Sequence, residues 1–275
     1  MLEIIKIPVF ENAPKWQSSS PTPINHIKMI HNYIDDYEEY NYIPELDKLL
    51  NKKSVAYVGP SPHLKGLKMG NYIDSHDIVI RINQHSHIEQ DDWEDYGKRT
   101  DILVACLNIH NRQDLLNNKK FVDSLQYVIC PMINMNTLPE VNSFLNNLNI
   151  PTHNVNDGYL LKLYEQVGTI CNTGFGGLVT LLNYNLKKLY ITGVTFYNMN
   201  SFGLVYNNNY IKNFCGNNPN QQPSRRDVRE DIHKQQPQID YFKKILKYHY
   251  PQTIELDNYL IKNFINTSKQ LFDSV

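Results

Sequence analysis

Polar residues that could contact a ligand follow two apolar runs of the chain. A Gly-Pro-Ser turn that ends at Ser61 follows the predicted strand Ser54–Gly59. Such a turn lets the backbone approach a ligand and offers a hydroxyl, although a plain strand-to-helix turn would have the same residues. Asn83 ends a second predicted strand, Asp77–Asn83. Because open parallel sheets bind ligands at the carboxyl ends of their strands, Ser61 and Asn83 are candidate ligand contacts.

A third candidate is the segment Asn172-Thr173-Gly174, which precedes a glycine-rich apolar stretch. Asn172 or Thr173 can cap the helix that this stretch predicts. The N–H groups at a helix start bind phosphate or carboxylate, so the segment is a candidate anion site. A capped, buried helix is the simpler interpretation, and the two are compatible.

The elements that must position these residues alternate along the chain. Besides the two strands above, the apolar pattern predicts strands at Asp101–Cys106, Gln126–Cys130, Lys188–Gly193 and Thr253–Leu256. Helical spacing is found at 26–51, Gln113–Ser124, Leu138–Leu148, Gly174–Tyr184 and Ile239–Tyr248. Strands that alternate with helices predict the α/β class, with a mostly parallel, twisted sheet flanked by helices in a single domain.

Composition excludes several classes of protein. The 275 residues contain 27 Lys+Arg against 28 Asp+Glu, and this balance disfavours nucleic acid as a partner, since phosphate binding requires a basic excess. No run approaches the roughly 18 apolar residues of a membrane span. Four cysteines at irregular spacing predict reduced thiols rather than a disulfide framework. Together with the absence of a signal-like start, these features predict a cytoplasmic protein.

Two segments differ from the predicted core. Residues 1–25 are rich in Pro and Ser and are expected to form an extended N-terminal arm, which leaves 26–275 as the main domain. Residues 198–229 are rich in Asn, Gln, Pro and Gly and contain Arg225, Arg226 and Arg229. A segment of this length inside a domain predicts a mobile loop that covers a ligand, or an insertion without a role.

The candidate segments resemble conserved motifs of a known family. Residues 55–108 resemble the long sialylmotif of glycosyltransferase family 29, the animal-type sialyltransferases. The matching residues are Gly59, Ser61, Leu64, Lys65, Gly70, Ile73, Asp74, His76, Asp77, Val79, Arg81 and Asn83, with Gly97 and Thr100 closing the motif. Residues 171–193 resemble the short sialylmotif, with Asn172-Thr173-Gly174 in place of its Ser-Thr-Gly.

This resemblance implies a Rossmann-like fold of the variant GT-A type and a CMP-sugar-dependent, inverting glycosyltransferase. The donor is normally CMP-sialic acid, the acceptor is a glycan hydroxyl, and neither a metal nor another cofactor is required. Its implied donor contacts are Ser61 and Asn83 from the long motif and Asn172, Thr173 and Gly174 from the short motif. His63 lies in the Ser61 loop and is a further candidate for contact with the nucleotide.

The resemblance also suggests a catalytic base. The family's very short motif is a His followed five residues later by Glu, and His233 is the matching residue here, with Gln238 in the place of the Glu. A surface histidine beside a helix is the alternative interpretation. The family's intermediate aromatic motif has only a poor counterpart in Tyr206 or Tyr210.

Departures from the family pattern leave other functions open. Pro60 and His63 stand where the family usually has Asn, and Val55 stands at the first Cys of its disulfide. A transferase that uses CMP-Kdo is one alternative, since the donor loop differs. A non-catalytic nucleotide- or glycan-binding module is another, because Gln238 replaces the Glu. CMP release from the donor would distinguish an enzyme from a binding module.

Overall fold

A single parallel sheet forms the centre of the molecule. The computed structural model describes residues 43–83, 88, 90–133, 139–148, 150–196 and 233–265, and there the sheet has seven strands in the order β5-β4-β3-β2-β1-β6-β7. They are β1 Ser54–Val58, β2 Ile78–Ile82, β3 Ile102–Val104, β4 Tyr127–Cys130, β5 Thr152–Asn154, β6 Lys188–Thr192 and β7 Ile254–Leu256. Every neighbouring pair is parallel, which confirms the predicted α/β class.

Helices connect the strands and cover the sheet. They are Pro44–Leu50, Gly70–Asp74, Trp93–Tyr96, Ile109–Asn117, Lys119–Ser124, Pro139–Leu148, Asp157–Val167, Thr173–Leu181, Gln235–His249 and Asn258–Leu260. Short turns of other helical types occur at Pro62–Leu64, Gln90–Asp92 and Ile261–Ile265. Within this part of the chain, no helix is long and apolar enough to cross a membrane.

Alternate residues of each central strand pack into different parts of the core. In β1, Tyr57 belongs to the large cluster that includes Phe175 and Phe242, whereas Val58 belongs to a smaller cluster with Tyr190. Both faces of the sheet are therefore buried, which explains why the central strands form continuous apolar runs in the sequence.

The structure differs from the predicted elements at several places. The helix predicted over Gln113–Ser124 is two helices, because Asn118 ends the first and caps the second by accepting a hydrogen bond from Phe121 N at 3.3 Å. Strand β5 and the helix Asp157–Val167 were not predicted. The arm at 1–25, most of the helix predicted at 26–51 and the loop at 198–229 lie outside the described residues.

Several residues of the long-motif match support the backbone between β2 and β3. Asp74 accepts hydrogen bonds from the backbone N–H groups of Lys98 and Arg99, at 2.9 and 3.1 Å. Arg81 is 3% exposed, and its Nε donates to the carbonyl of Arg99 at 2.9 Å. A Cβ on Gly70 would lie 1.9 Å from the carbonyl oxygen of Trp93. These motif positions are therefore explained by folding, without a ligand.

Strands β1 and β6 meet where the strand order reverses, and their carboxyl ends touch. A Cβ on Gly59 would lie 2.3 Å from the carbonyl oxygen of Gly193, and Ser61 N donates to that same oxygen at 3.1 Å. Gly193 has φ +69°, which favours glycine. Because ligands of open α/β sheets bind at such a reversal, we expect the candidate ligand contacts to lie along this edge.

Candidate functional site

Ser61 and His63 belong to one hydrogen-bonded chain at the ends of β1 and β7. Ser61 Oγ lies 2.9 Å from His63 Nδ1, and His63 Nε2 lies 2.8 Å from Asp257 Oδ2. Tyr259 stacks on the His63 ring with 4.7 Å between ring centroids. Ser61 and Asp257 are both buried. The structure thus brings together two predicted site residues and joins them to an aspartate that the sequence analysis did not identify.

Asp257 is held by donors from two sides. Its Oδ2 accepts from Thr192 Oγ1 at 2.8 Å and from Gly193 N at 3.2 Å, and its Oδ1 accepts from Leu260 N at 2.8 Å. Burial raises the pKa of Asp257, but the hydrogen bond and charge of His63, the Leu260 amide and the Thr192 hydroxyl together lower that pKa below its ordinary value. The carboxylate is therefore ionised at neutral pH and only accepts, so His63 Nε2 must carry the proton in their hydrogen bond.

Asn83 connects the ends of β2 and β3. Its backbone has φ +57°, a conformation that asparagine tolerates better than most residues. Its Oδ1 accepts from Cys106 N at 3.1 Å, and its own N donates to Val104 O at 2.7 Å. Oδ1 therefore links the end of β2 to the segment that follows β3, and Nδ2 is the donor half of this amide.

The helix Thr173–Leu181 begins at the carboxyl ends of the strands. Asn172 Oδ1 accepts from Phe175 N at 2.8 Å, which confirms the predicted cap. A Cβ on Gly174 would lie 3.3 Å from Ile82 Cδ1, at the end of β2. Thr173 is buried. The positive end of this helix dipole therefore lies next to β2, where an anion would be stabilised.

His233 and Gln238 contact the segment that leads into this helix. His233 Nδ1 lies 3.0 Å from the carbonyl oxygen of Ile170. Because a carbonyl only accepts, Nδ1 carries a proton, and in the neutral imidazole the lone pair is then on Nε2. Gln238 is 0% exposed. Its Oε1 accepts from Asn172 N at 3.1 Å, and its Nε2 donates to Lys234 O at 3.0 Å. The histidine candidate and the helix start are thus joined to the same short segment, 170–172.

The candidate residues form two groups along one edge of the sheet. Ser61 and His63 lie at β1, while Asn83, Asn172, Thr173 and Gly174 lie at β2, β3 and the helix start, with His233 bound next to the latter. Asp257 had a signal in the sequence, since it directly follows the predicted strand Thr253–Leu256. The candidates Tyr206, Tyr210, Arg225, Arg226 and Arg229 lie outside the described residues.

Thiols and metal ligands are two further kinds of reactive group that such a site could contain. Cys106, Cys130 and Cys171 form no disulfide with one another. Burial raises the pKa of Cys106, whose Sγ donates to Asn111 Oδ1 at 2.9 Å, so it is not an activated nucleophile. Among the described residues, no group of three or more His, Cys, Asp or Glu could hold a metal ion.

A family model matches more than half of the chain. The model, described as glycosyltransferase family 29 (sialyltransferase), matches residues 13–168. This range contains Ser61, His63 and Asn83 and ends before Asn172 and His233. The comparison with curated proteins found no match.

A solved sialyltransferase shares the fold. The chain is similar to the sialyltransferase CstII from Campylobacter jejuni in complex with cytidine-5'-monophosphate, at 16% identity and TM-score 0.50, with 78% of this chain and 84% of that chain covered. CstII with CMP-3FNeuAc has 18% identity, TM-score 0.49 and coverages of 78% and 85%. A mammalian sialyltransferase in complex with Gal-beta-1-3GalNAc-ortho-nitrophenol has 13% identity, TM-score 0.43 and coverages of 88% and 81%.

Proposed function

Because this chain belongs to glycosyltransferase family 29, the sialyltransferase family, as the match over residues 13–168 shows, we propose that it transfers a 2-keto acid sugar from a CMP donor to a glycan hydroxyl. The observation that carries the proposal is that this match includes the loop of Ser61 and the end of β2 at Asn83. Both lie at the carboxyl edge of the sheet, where a nucleotide binds in folds of this class.

The proposed nucleotide is cytidine monophosphate. A CstII structure of the same fold contains this nucleotide. In this chain, the N–H groups at the start of the helix Thr173–Leu181 and the amide of Asn83 are donors that suit a phosphate and a base or ribose. Ser61, His63, Asn83, Asn172, Thr173 and Gly174 are the proposed donor-binding residues.

His233 is the proposed catalytic base. Its hydrogen bond to the Ile170 carbonyl leaves the basic lone pair on Nε2, and neutral imidazole is well suited to accept a proton near pH 7. In the proposed step, Nε2 takes the proton of the acceptor hydroxyl as its oxygen bonds to the anomeric carbon. The bond from that carbon to the phosphate oxygen breaks, CMP leaves with the electron pair, and the configuration inverts.

The contacts of Gln238 weaken the argument for a non-catalytic binding module. The replacement of the family's Glu is the feature that favours a binding module. However, Gln238 Oε1 accepts from Asn172 N, and this role requires an oxygen but not a negative charge. Residues 170–172, which include Asn172 and bind His233 through Ile170, are therefore held in place without the Glu.

The other parts of the proposal concern the rest of the chain. We propose one transferase domain over 26–275, preceded by the arm at 1–25. No metal is included, because CMP is a good leaving group and the helix start can meet its charge. A CMP-Kdo donor is the second candidate, since His63 is bound to Asp257 and the donor loop therefore differs from one with Asn at this position.

A thermal melting screen tests the nucleotide. CMP and CDP should raise the Tm more than UMP, GMP or NAD. At a ligand concentration a hundred times its Kd, binding stabilises the native state by about 2.7 kcal/mol, which is readily measured. Stabilisation by another nucleotide, with no response to CMP or CDP, would contradict the proposed donor.

A further inference from the structure

The chain Ser61–His63–Asp257 combines the residue types of a hydrolase triad, but its surroundings do not suit a nucleophile. Pro60 and Pro62 flank the serine and have no N–H, and Ser61 N donates to Gly193 O. An acyl-transfer serine needs such backbone donors for the developing oxyanion. The hydrogen-bonded chain must therefore serve something other than attack by Ser61.

The positions of the protons on His63 determine whether the Ser61 hydroxyl donates to the ring or to a ligand. Because Asp257 only accepts, the Nε2 proton of His63 points to it, and Nδ1 faces Ser61 Oγ. In a neutral imidazole, Nδ1 accepts the Ser61 hydroxyl proton. In a doubly protonated ring, Nδ1–H donates to Ser61 Oγ instead, and the hydroxyl proton is turned away from the ring toward a ligand.

We propose that Asp257 and His63 are positioning residues that direct the Ser61 hydroxyl as a donor to the phosphate of the nucleotide. This inference rests on the proposed function and adds to it which group of the donor Ser61 addresses. In this arrangement the Ser61 proton points to a phosphate oxygen. The doubly protonated His63 ring donates through Nδ1–H to Ser61 Oγ and through Nε2–H to the Asp257 carboxylate.

The surroundings of His63 agree with this arrangement. Among the described residues, the Asp257 carboxylate faces its Nε2 edge and the Tyr259 ring lies on its face. Lys65, two residues further along the chain, forms an ion pair with Asp92. Asp257 is itself fixed by Thr192, Gly193 and Leu260, so it can hold the ring in one orientation.

Calorimetric titration with CMP and with cytidine tests the inference, since the two ligands differ only in the phosphate. We expect His63→Leu and Asp257→Asn each to weaken CMP binding about ten- to a hundredfold, the range for a hydrogen bond to a charged group. Cytidine affinity should stay within about twofold of wild type. The double variant should bind CMP about as well as the weaker single variant, because both substitutions interrupt the same chain.

Asp101→Asn is the matched control for loss of a buried carboxylate. Asp101 is 8% exposed and accepts from Val79 N at 2.7 Å, but it precedes β3, at the opposite edge of the sheet. This variant should lower the Tm and leave both affinities unchanged.

Two results would overturn the inference while wild type still binds CMP. One is an equal loss of CMP and cytidine affinity, or no loss, in Asp257→Asn. The other is additive losses in the double variant, as expected if Asp257 only supports the loop. Wild-type protein that binds neither ligand would contradict the proposed function and the inference together.

Discussion

The proposed role of His233 as the catalytic base draws on the hydrogen bond from its Nδ1 to the Ile170 carbonyl. His233→Ala should reduce sugar transfer by roughly 10²–10⁴-fold, the usual contribution of a general base. CMP affinity should be unchanged, because the proposed donor contacts are made by other residues. Steady-state rates and calorimetry on the same preparation measure both.

His249→Ala is the control for this prediction. His249 ends the helix Gln235–His249, whereas His233 lies just before its start. The control should transfer at the wild-type rate. If His233→Ala does so too, the base has been wrongly assigned.

The hydrogen bonds of Gln238 predict that replacing it destabilises the start of the helix Thr173–Leu181. Gln238→Leu leaves Asn172 N and Lys234 O without their partner, at an expected cost of about 1–3 kcal/mol in the free energy of unfolding. Gln236 is exposed, and among the described residues its Nε2 donates to Asp240 alone, so Gln236→Leu should stay within about 0.5 kcal/mol of wild type. Denaturant unfolding compares the two, and equal stabilities would contradict the proposed support of the helix start.

The part of the site whose contacts join residues close in the sequence was predictable. The cap at Asn172 was predictable because its partner, Phe175 N, is three residues away. The bond between His63 and Asp257 spans 194 positions, and only the order of strands in the sheet brings these residues together. No spacing rule in the sequence could have paired them.

At the scale of elements, the helix Thr173–Leu181 packs so closely on the sheet that two adjacent glycines should respond differently to substitution. A Cβ on Gly177 would lie 2.5 Å from Val104 Cγ1, whereas a Cβ on Gly176 would lie 3.4 Å from Pro131 Cβ. Gly177→Ala should destabilise the fold by about 1–3 kcal/mol through overpacking. Gly176→Ala should be neutral or stabilise by up to about 1 kcal/mol, because alanine favours a helix. Thermal unfolding in parallel measures both, and a Gly177→Ala protein as stable as wild type would contradict this close packing.

The sequence analysis missed one strand that has no core-type pattern and one helix that has one. Strand β5 consists of Thr152, His153 and Asn154, all half-buried, so it has no apolar run and forms by pairing with β4. In contrast, β1 and β2 are almost wholly buried, and their apolar runs made them predictable. The helix Asp157–Val167 did have a signal, because Asn156 caps it and Gly168 ends it.

For the molecule as a whole, burial of His153 predicts a pH-dependent stability. Burial lowers the pKa of His153 to about 4 from its ordinary 6.5. Between these values, the unfolded chain binds a proton that the native state does not, so stability is lost as the pH falls from about 6.5 to about 4. We expect His153 to account for about 1–3 kcal/mol of this loss.

His153→Gln removes the titrating group and tests this expectation. The free energy of unfolding of the variant should fall less steeply between pH 6.5 and 4 than that of wild type. The two curves should have the same slope above about pH 7, where the histidine is neutral in both states. Equal slopes at acidic pH would show that the side chain titrates normally in the native state.

Transfer itself is the most direct test of the central claim that this chain is a CMP-sugar transferase. The purified protein is incubated with CMP-sialic acid or CMP-Kdo and a mixture of glycan acceptors, and mass spectrometry follows glycan mass and released CMP. We expect a glycan heavier by one sugar and an equivalent amount of CMP with at least one donor, both strongly reduced in His233→Ala. Both donors remaining intact, with neither transfer nor hydrolysis in a protein that binds CMP, would contradict the account and indicate a binding module.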